Sequence, residues 1–411
     1  MIQTCDSPNP NGSALLPIKE AIAKMFAHIK PIEDNNDLPL QNALGRVLAA
    51  DVISSIDVPP ADNSAMDGYA MDHQSLSQHN KLKMVGGALA GQPFNKTLLA
   101  GQCIRIMTGA IIPEGADAVI MQENTTVDGD NIVFNQIPEK GNSVRKAGED
   151  IQRGQVVVAS GTKLKASHLA LIASVGVDHV RVTRKLKIGL IATGDELTPP
   201  GQDLVPGAIY ESNRFALNGL LSDFPVEVID MGIIKDDKSS LRAAFVQADN
   251  ECDLVLSCGG VSVGEADYVK EVLAELGNIN FWKVAIKPGK PFAFGQLKQA
   301  WFCGLPGNPV SSYVTFEQLV TPILQTLSGQ TLSPTPHFIA KAAGIIKKRP
   351  GRADYQRGIF YRDESGELWV KPNGKQGSGI MSSIANANCY MALEQDIGDV
   401  QVGENVNIQP F

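Results

Sequence analysis

From Lys187 to about Leu327, apolar runs of period two alternate with apolar runs at helical spacing, a regularity that restricts the fold more than any other feature of the chain. KIGLIA precedes a helical stretch near Ser212 to Ser222, VEVIDMGI one near Ser239 to Ala248, and DLVLS one that ends near Leu276. FWKVAIK, FAFGQL and WFCG then lead to a helix from Asn308 to about Leu327. Strands joined through helices imply a mostly parallel sheet covered on both faces, with ligands at the carboxyl ends of the strands.

The third of these units carries the densest chemistry. Gly259, Gly260 and Gly264, with Ser257 and Ser262, separate its strand from a helix whose Ala266, Val269, Val272, Leu273 and Leu276 share one face. Backbone N–H groups converging at such a helix start favour an oxyanion or phosphate. Glu265 and Asp267 at the same start either cap the helix or face a cation, and the second choice points to metal together with phosphate.

Three more segments place polar groups just after a strand. ATGDEL brings Asp195 and Glu196, IIKDD brings Asp236 and Asp237, and CGLPGNPVSS brings Gly304, Gly307, Asn308 and Ser311. If the sheet is parallel, all four segments meet at one edge, where carboxylates beside anion cradles suit a magnesium-bridged phosphate. Read as one strand, FWKVAIK points Lys283 and Lys287 to the same face. Those lysines either neutralise an oxyanion or merely protect a sheet edge.

Residues 57–151 change texture to short strands rich in Gly and Pro, interrupting two helix-bearing stretches and so reading as an insertion. Within it ADNSAMDGYA sets Asp67 beside an expected turn at Gly68, and Thr108 ends the strand CIRIMTGA. A short helix is expected at 41–49. After a Ser/Pro/Thr-rich connector the last 75 or so residues return to short strands, a small barrel or sandwich, in which Arg352, Arg357 and Ser378 are candidate anion contacts.

Other classes of function find little support. The net charge of −8 does not favour nucleic acid or anionic membrane, and the start of the chain lacks the basic and apolar pattern of a signal peptide. Six scattered cysteines and six histidines form no pair at zinc spacing, which fits reduced thiols in a cytoplasmic protein. Neither GxGxxG after a strand nor GxxxxGK[ST] is present. The residues by themselves lead to a magnesium-dependent enzyme acting on a phosphorylated small molecule.

DNSAMDGYA, CIRIMTGA, VRKAGEDI, ATGDEL, SCGGVSVGEADY, KVAIKPGKPFAFG, GLPGNPVSS and GRADYQRG, in that order, resemble the successive signatures of the MoeA family, whose counterpart is the E domain of gephyrin. The resemblance runs from about Leu15 to the end. The Pro/Asn/Ser-rich composition of residues 1–13 leads to the expectation of a disordered tail there, while the resemblance implies a multidomain α/β plus β protein with a linker domain in two pieces, 14–56 and 152–183. An inserted mostly-β domain at 57–151, a central three-layer α/β domain at 184–330 and a C-terminal β-barrel at 331–411 complete it.

The implied reaction takes adenylylated molybdopterin and molybdate, breaks the pyrophosphate link with Mg²⁺, releases AMP and leaves molybdenum on the dithiolene. The implied assembly is a homodimer with a shared cleft, with a molybdopterin adenylyltransferase as a further partner. The family's functional positions match Asp67, Thr108, Glu196, Asp236, Asp267, Lys283, Lys287, Arg357 and Ser378, with Glu196, Asp236 and Asp267 as metal ligands. Gly259, Gly260, Ser262, Gly264, Gly304, Gly307, Asn308 and Ser311 are the expected substrate-binding residues. Competing readings are a pyrophosphate hydrolase of the competence-damage type and a non-catalytic scaffold.

Overall fold

The structure, a computed structural model, describes residues 15–78, 80–260 and 268–411. Ser262, Gly264, Glu265 and Asp267 of the glycine loop, and the expected tail, lie outside the described residues. The chain divides into two compact units, one of Met1–Asn36, Gly45–Val47 and Val182–Phe411, the other of Asp37–Leu44 and Leu48–Arg181.

In the first unit the central sheet has six strands in the order Val226–Ile234, Leu186–Thr193, Leu254–Cys258, Trp301–Leu305, Pro291–Gln296 and Asn278–Lys283. The first four run parallel and the last two pairings are antiparallel. The carboxyl ends of four strands therefore share one edge, and the two reversals bring Lys283, the last residue of its strand, to that same edge.

Period two sorts the side chains between the two faces. Ile188, Leu190, Leu254 and Leu256 are buried with Met25 of the helix Ile18–Phe26, Leu217 of Asn213–Leu221 and Val314 of Pro309–Thr315. On the opposite face Ile191 and Val255 pack against Phe245 of Lys238–Glu251 and Val269 and Leu273 of Tyr268–Leu276. Each such fully buried aliphatic side chain contributes about 1.5–3 kcal/mol, so the strand ends that carry polar groups sit on a rigid base.

The C-terminal part closes into a barrel of five strands. Ala353–Arg362 pairs with Leu368–Pro372 on one side and with Cys389–Leu393 on the other, and Phe338–Ala342 and Asn405–Pro410 complete the ring. The short strand Ile286–Lys287 pairs in parallel with Ala353 and Asp354.

FWKVAIK is consequently not one strand. It belongs to the central sheet through Lys283, and after a bend at Ala285 its last two residues join the barrel, so Lys283 and Lys287 do not share a sheet face. The expected helix at 41–49 also fails: only the turn of 3-10 helix Leu40–Asn42 forms, and Gly45 takes a φ of +74°, which a helix cannot continue.

The second unit is built on a six-stranded sheet in the order Ala118–Met121, Gly68–Met71, Gln102–Ile106, Lys81–Ala88, Asn131–Phe134 and Thr125–Asp128. Gly68 opens a strand rather than forming a turn. It is required there because a Cβ would overlap the carbonyl oxygen of Ile120 on the neighbouring strand. No helix among the described residues is long and apolar enough to cross a membrane.

Candidate active site

The shared edge of the central sheet gathers Glu196, Asp236, Gly259, Gly260, Lys283, Gly307 and Asn308 of the expected groups. Glu196 lies three residues beyond the strand Leu186–Thr193 and is exposed, and Asp236 lies two beyond Val226–Ile234 and is half-buried. The two loops are tied together, since the Asp236 N–H donates to Asp195 Oδ1 at 3.3 Å. Asp237 has a different job. It caps the helix Lys238–Glu251, its carboxylate accepting from the N–H of Ser240 and from the hydroxyls of Ser239 and Ser240. Those donors pull its carboxyl down to about 2.

Gly259 and Gly260 follow Leu254–Cys258 with φ of +96° and +66°. A Cβ on Gly259 would come within 2.7 Å of the Thr193 carbonyl oxygen, so the loop can cross the neighbouring strand end only as glycine. Gly304 is a strand residue, paired with Ser257 and Ala293, and is buried rather than part of a cradle. The loop proper starts at Pro306. Its Gly307 and Asn308 are exposed, the Gly307 carbonyl accepts from Asn213 Nδ2 at 2.8 Å, and Ser311 is buried in the helix that follows.

Polar atoms are left over at this edge. Thr193 Oγ1, Ser257 Oγ and Asn213 Oδ1 are buried without a hydrogen-bond partner, three of the six such atoms among the described residues. Thr193 ends its strand, Ser257 lies one residue before the end of the adjacent strand, and Asn213 begins the helix that reaches Gly307. A buried polar atom without a partner costs free energy, and a polar ligand arriving at the strand ends can relieve that cost.

The cations come from two sources. Lys283 ends the edge strand and is half-buried; Lys287 stands on the two-residue strand with its Nζ 3.3 Å from Asp354 Oδ2. Arg357 is only 1% exposed. Its Nε donates to Ser383 Oγ at 3.0 Å and its other nitrogens to the carbonyls of Tyr355 and Gly377, at 3.3 and 3.4 Å. Burial pulls this guanidinium below its ordinary value, while the charge of Asp354 acts against the shift. Arg357 thus grips the QGSG loop from beneath. That loop is docked on the helix Pro309–Thr315, because the Val310 N–H donates to the Ser378 carbonyl at 3.0 Å.

In the second unit the antiparallel register Gly68 to Ile106 brings Asp67 opposite the end of Gln102–Ile106. Asp67 Oδ1 accepts both the N–H and the hydroxyl of Thr108, each at 2.7 Å. These two donors, backbone first, hold the Asp67 carboxyl below the usual range, with Arg105 adding a smaller pull. His73 Nδ1 lies 2.6 Å from Asp117 Oδ2, and the backbone N–H of His73 donates to Asp117 Oδ1 at 2.8 Å, which closes the turn after Gly68–Met71. Sequence spacing hid this pair, whose members lie 44 residues apart.

Asp354, Gln356, Ser383 and Asn213 are engaged with the expected site residues and were not singled out from the sequence. Asp354 and Gln356 alternate with Tyr355 and Arg357 in GRADYQRG, so period two was a signal that they share one barrel face.

Comparison with known proteins covers nearly the whole chain. The MoeA N-terminal region (domain I and II) matches residues 16–176, the probable molybdopterin binding domain residues 189–326, and the MoeA C-terminal region (domain IV) residues 340–411. The chain is 47% identical over 399 residues to a molybdopterin molybdenumtransferase of Haemophilus influenzae, covering 97% of this chain and 99% of that protein. It is 34% identical over 384 residues to a protein of the same name from Nostoc sp., covering 91% and 88%. The crystal structure of a molybdopterin biosynthesis moeA protein from Pyrococcus horikoshii aligns with a TM-score of 0.84 at 32% identity, over 97% of this chain and all of that one.

Proposed function

The chain belongs to the MoeA family, transferases of molybdenum cofactor biosynthesis, and from that premise we propose that it loads molybdate onto adenylylated molybdopterin. The pyrophosphate link is broken, AMP leaves, and molybdenum remains on the dithiolene. The observation that carries this reading is the shared sheet edge, where acids, Lys283, glycine turns and unpartnered buried polar atoms lie at or near the ends of adjacent strands.

The donor set there fits Mg²⁺. Glu196 and Asp236 are hard oxygen donors on loops tied by one hydrogen bond, the ligand type that magnesium prefers. These two residues would hold the ion, with Asp267 as the third acid that the family pattern supplies. When bound, magnesium would polarise the phosphoryl group and offset its charge.

The remaining work falls to the chain's own side chains. Lys283 and Lys287 stabilise molybdate and the charge that builds on the phosphoryl oxygens. The turn at Gly259 and Gly260 and the loop at Gly307 and Asn308 receive the pterin nucleotide, and Thr193, Ser257 and Asn213 satisfy their polar atoms on it. Ser378 contacts the substrate from the barrel loop, which Arg357 keeps in place. Asp67, kept anionic by Thr108, acts across the dimer, and the working form is a homodimer supplied by a molybdopterin adenylyltransferase.

Magnesium titration of AMP release tests the reading. Glu196→Ala and Asp236→Ala should each require more magnesium and lose about 100-fold to 1000-fold in rate, the cost typical of removing a charge-stabilising group. Wild-type magnesium dependence in both variants contradicts the assignment.

A further inference from the structure

Asp354 is a buried carboxylate, 3% exposed, beside a lysine on which the proposed chemistry depends. The parallel pairing of Ile286–Lys287 with Ala353 and Asp354 sets Lys287 directly opposite it, and the Ala353 N–H donates to the Ala285 carbonyl at 2.8 Å. Lys287 Nζ lies 3.3 Å from Asp354 Oδ2, and the same oxygen accepts Gln356 Nε2 at 3.0 Å. Gln356 is itself fixed by donating to the Lys347 carbonyl at 2.8 Å. The carboxylate is therefore held on its own side before the ammonium is considered.

The lysine's backbone is held as well. Two residues on, Gly289 has a φ of +114°, and a Cβ there would overlap Thr315 Oγ1 of the helix Pro309–Thr315. What stays free is the Lys287 side chain, 40% exposed, against a carboxylate that is 4% exposed.

Asp354 also faces other cations. Lys348 is 4% exposed, with its Nζ donating to the carbonyls of Ile397 and Gln395 at 2.9 and 3.2 Å. Burial lowers its pKa, Asp354 and Asp396 oppose that shift, and the charge of Lys287 adds to it. Asp354 opposes the same kind of shift at Arg357. One buried anion is thus coupled to Lys287, Lys348 and Arg357, and it offsets the repulsion between Lys287 and Lys348.

We infer that Asp354 is a positioning residue that holds the Lys287 ammonium at the barrel junction, spending one direction of the ammonium on itself and leaving the other N–H donors for an oxyanion. It touches no substrate. The inference rests on the reading of Lys287 as an oxyanion contact and adds the group that aims it.

The test is a double-mutant cycle in molybdate-dependent AMP release, with wild type, Asp354→Asn, Lys287→Met and the double variant. Turnover by the wild type decides the functional reading separately, since without molybdate-dependent AMP release that reading fails whatever the variants do. In an active enzyme, Asp354→Asn should raise KM for molybdate and lower kcat/KM about 10-fold to 100-fold, the scale of a misplaced contact. The double variant should be no worse than Lys287→Met alone, because residues that act as a unit do not add. Losses that multiply, or wild-type kcat/KM in folded Asp354→Asn, overturn the inference.

If Asp354→Asn does not fold, or the wild type is inactive, thermal melting of Lys287→Met tests the same pair. Removing the ammonium strips a buried carboxylate of its partner, so this variant should melt below wild type; an unchanged melting temperature overturns the inference.

Discussion

Glu317 shows at the scale of one residue how burial recasts a side chain. It lies on the π-helical turn Phe316–Val320 and accepts the hydroxyl of the fully buried Tyr390, from the barrel strand Cys389–Leu393, at 2.5 Å. Burial raises its carboxyl to about 7, and the tyrosine hydrogen bond only partly opposes this. A carboxyl raised on folding contributes stability below its unfolded pKa of about 4.3, and that contribution is lost as pH rises through about 7. Melting temperature should therefore fall between those pH values in the wild type. Glu317→Gln should flatten the slope, and an identical slope in both proteins contradicts this placement. At two adjacent acids the roles separate. Asp237→Ala removes a helix cap and should lower the melting temperature while sparing AMP release, whereas Asp236→Ala should do the reverse. Comparable activity losses in both variants contradict that division. Asp67 and Thr108 were each legible from their own motifs. Their contact was not, because it depends on a strand register that no local pattern encodes.

At the scale of elements, the regular alternation from Lys187 to Leu327 was legible because each run carries its own period, and the parallel order follows from helical connections. Where two neighbouring sheets compete for one run, the period misleads. The residues of FWKVAIK alternate correctly, yet their last two are captured by the barrel through Ala353 and Asp354. Gly68 gave the opposite error, since glycine after Asp reads as a turn while here it permits a close strand approach. Gly68→Ala should push the chain off the Ile120 carbonyl and cost about 1–3 kcal/mol, as overpacking does. Chemical denaturation measures this, and a variant as stable as wild type contradicts the close approach.

Over the whole molecule, the classes of domain were legible in composition and texture, and the family signatures supplied their order. Strand patterning by itself left a barrel or a sandwich open at the C-terminus, because closure requires Ala353–Arg362 to pair on both sides, a property of the finished sheet rather than of the strand's sequence, and the family signatures pointed to the barrel. The pairings of Arg357 with Ser383 and of Asp354 with Lys287 were not legible, since the partners come from distant parts of the chain. The sheet edge unites these levels: strand ends place the acids, the edge strand brings one lysine, and the barrel junction holds the other. Whether that edge transfers molybdenum or only hydrolyses a pyrophosphate is decided by AMP release from adenylylated molybdopterin, measured in the presence of Mg²⁺ with and without molybdate. Release that depends on molybdate, with no cleavage of ADP-ribose, is the predicted result; AMP release indifferent to molybdate, accompanied by ADP-ribose hydrolysis, would contradict it.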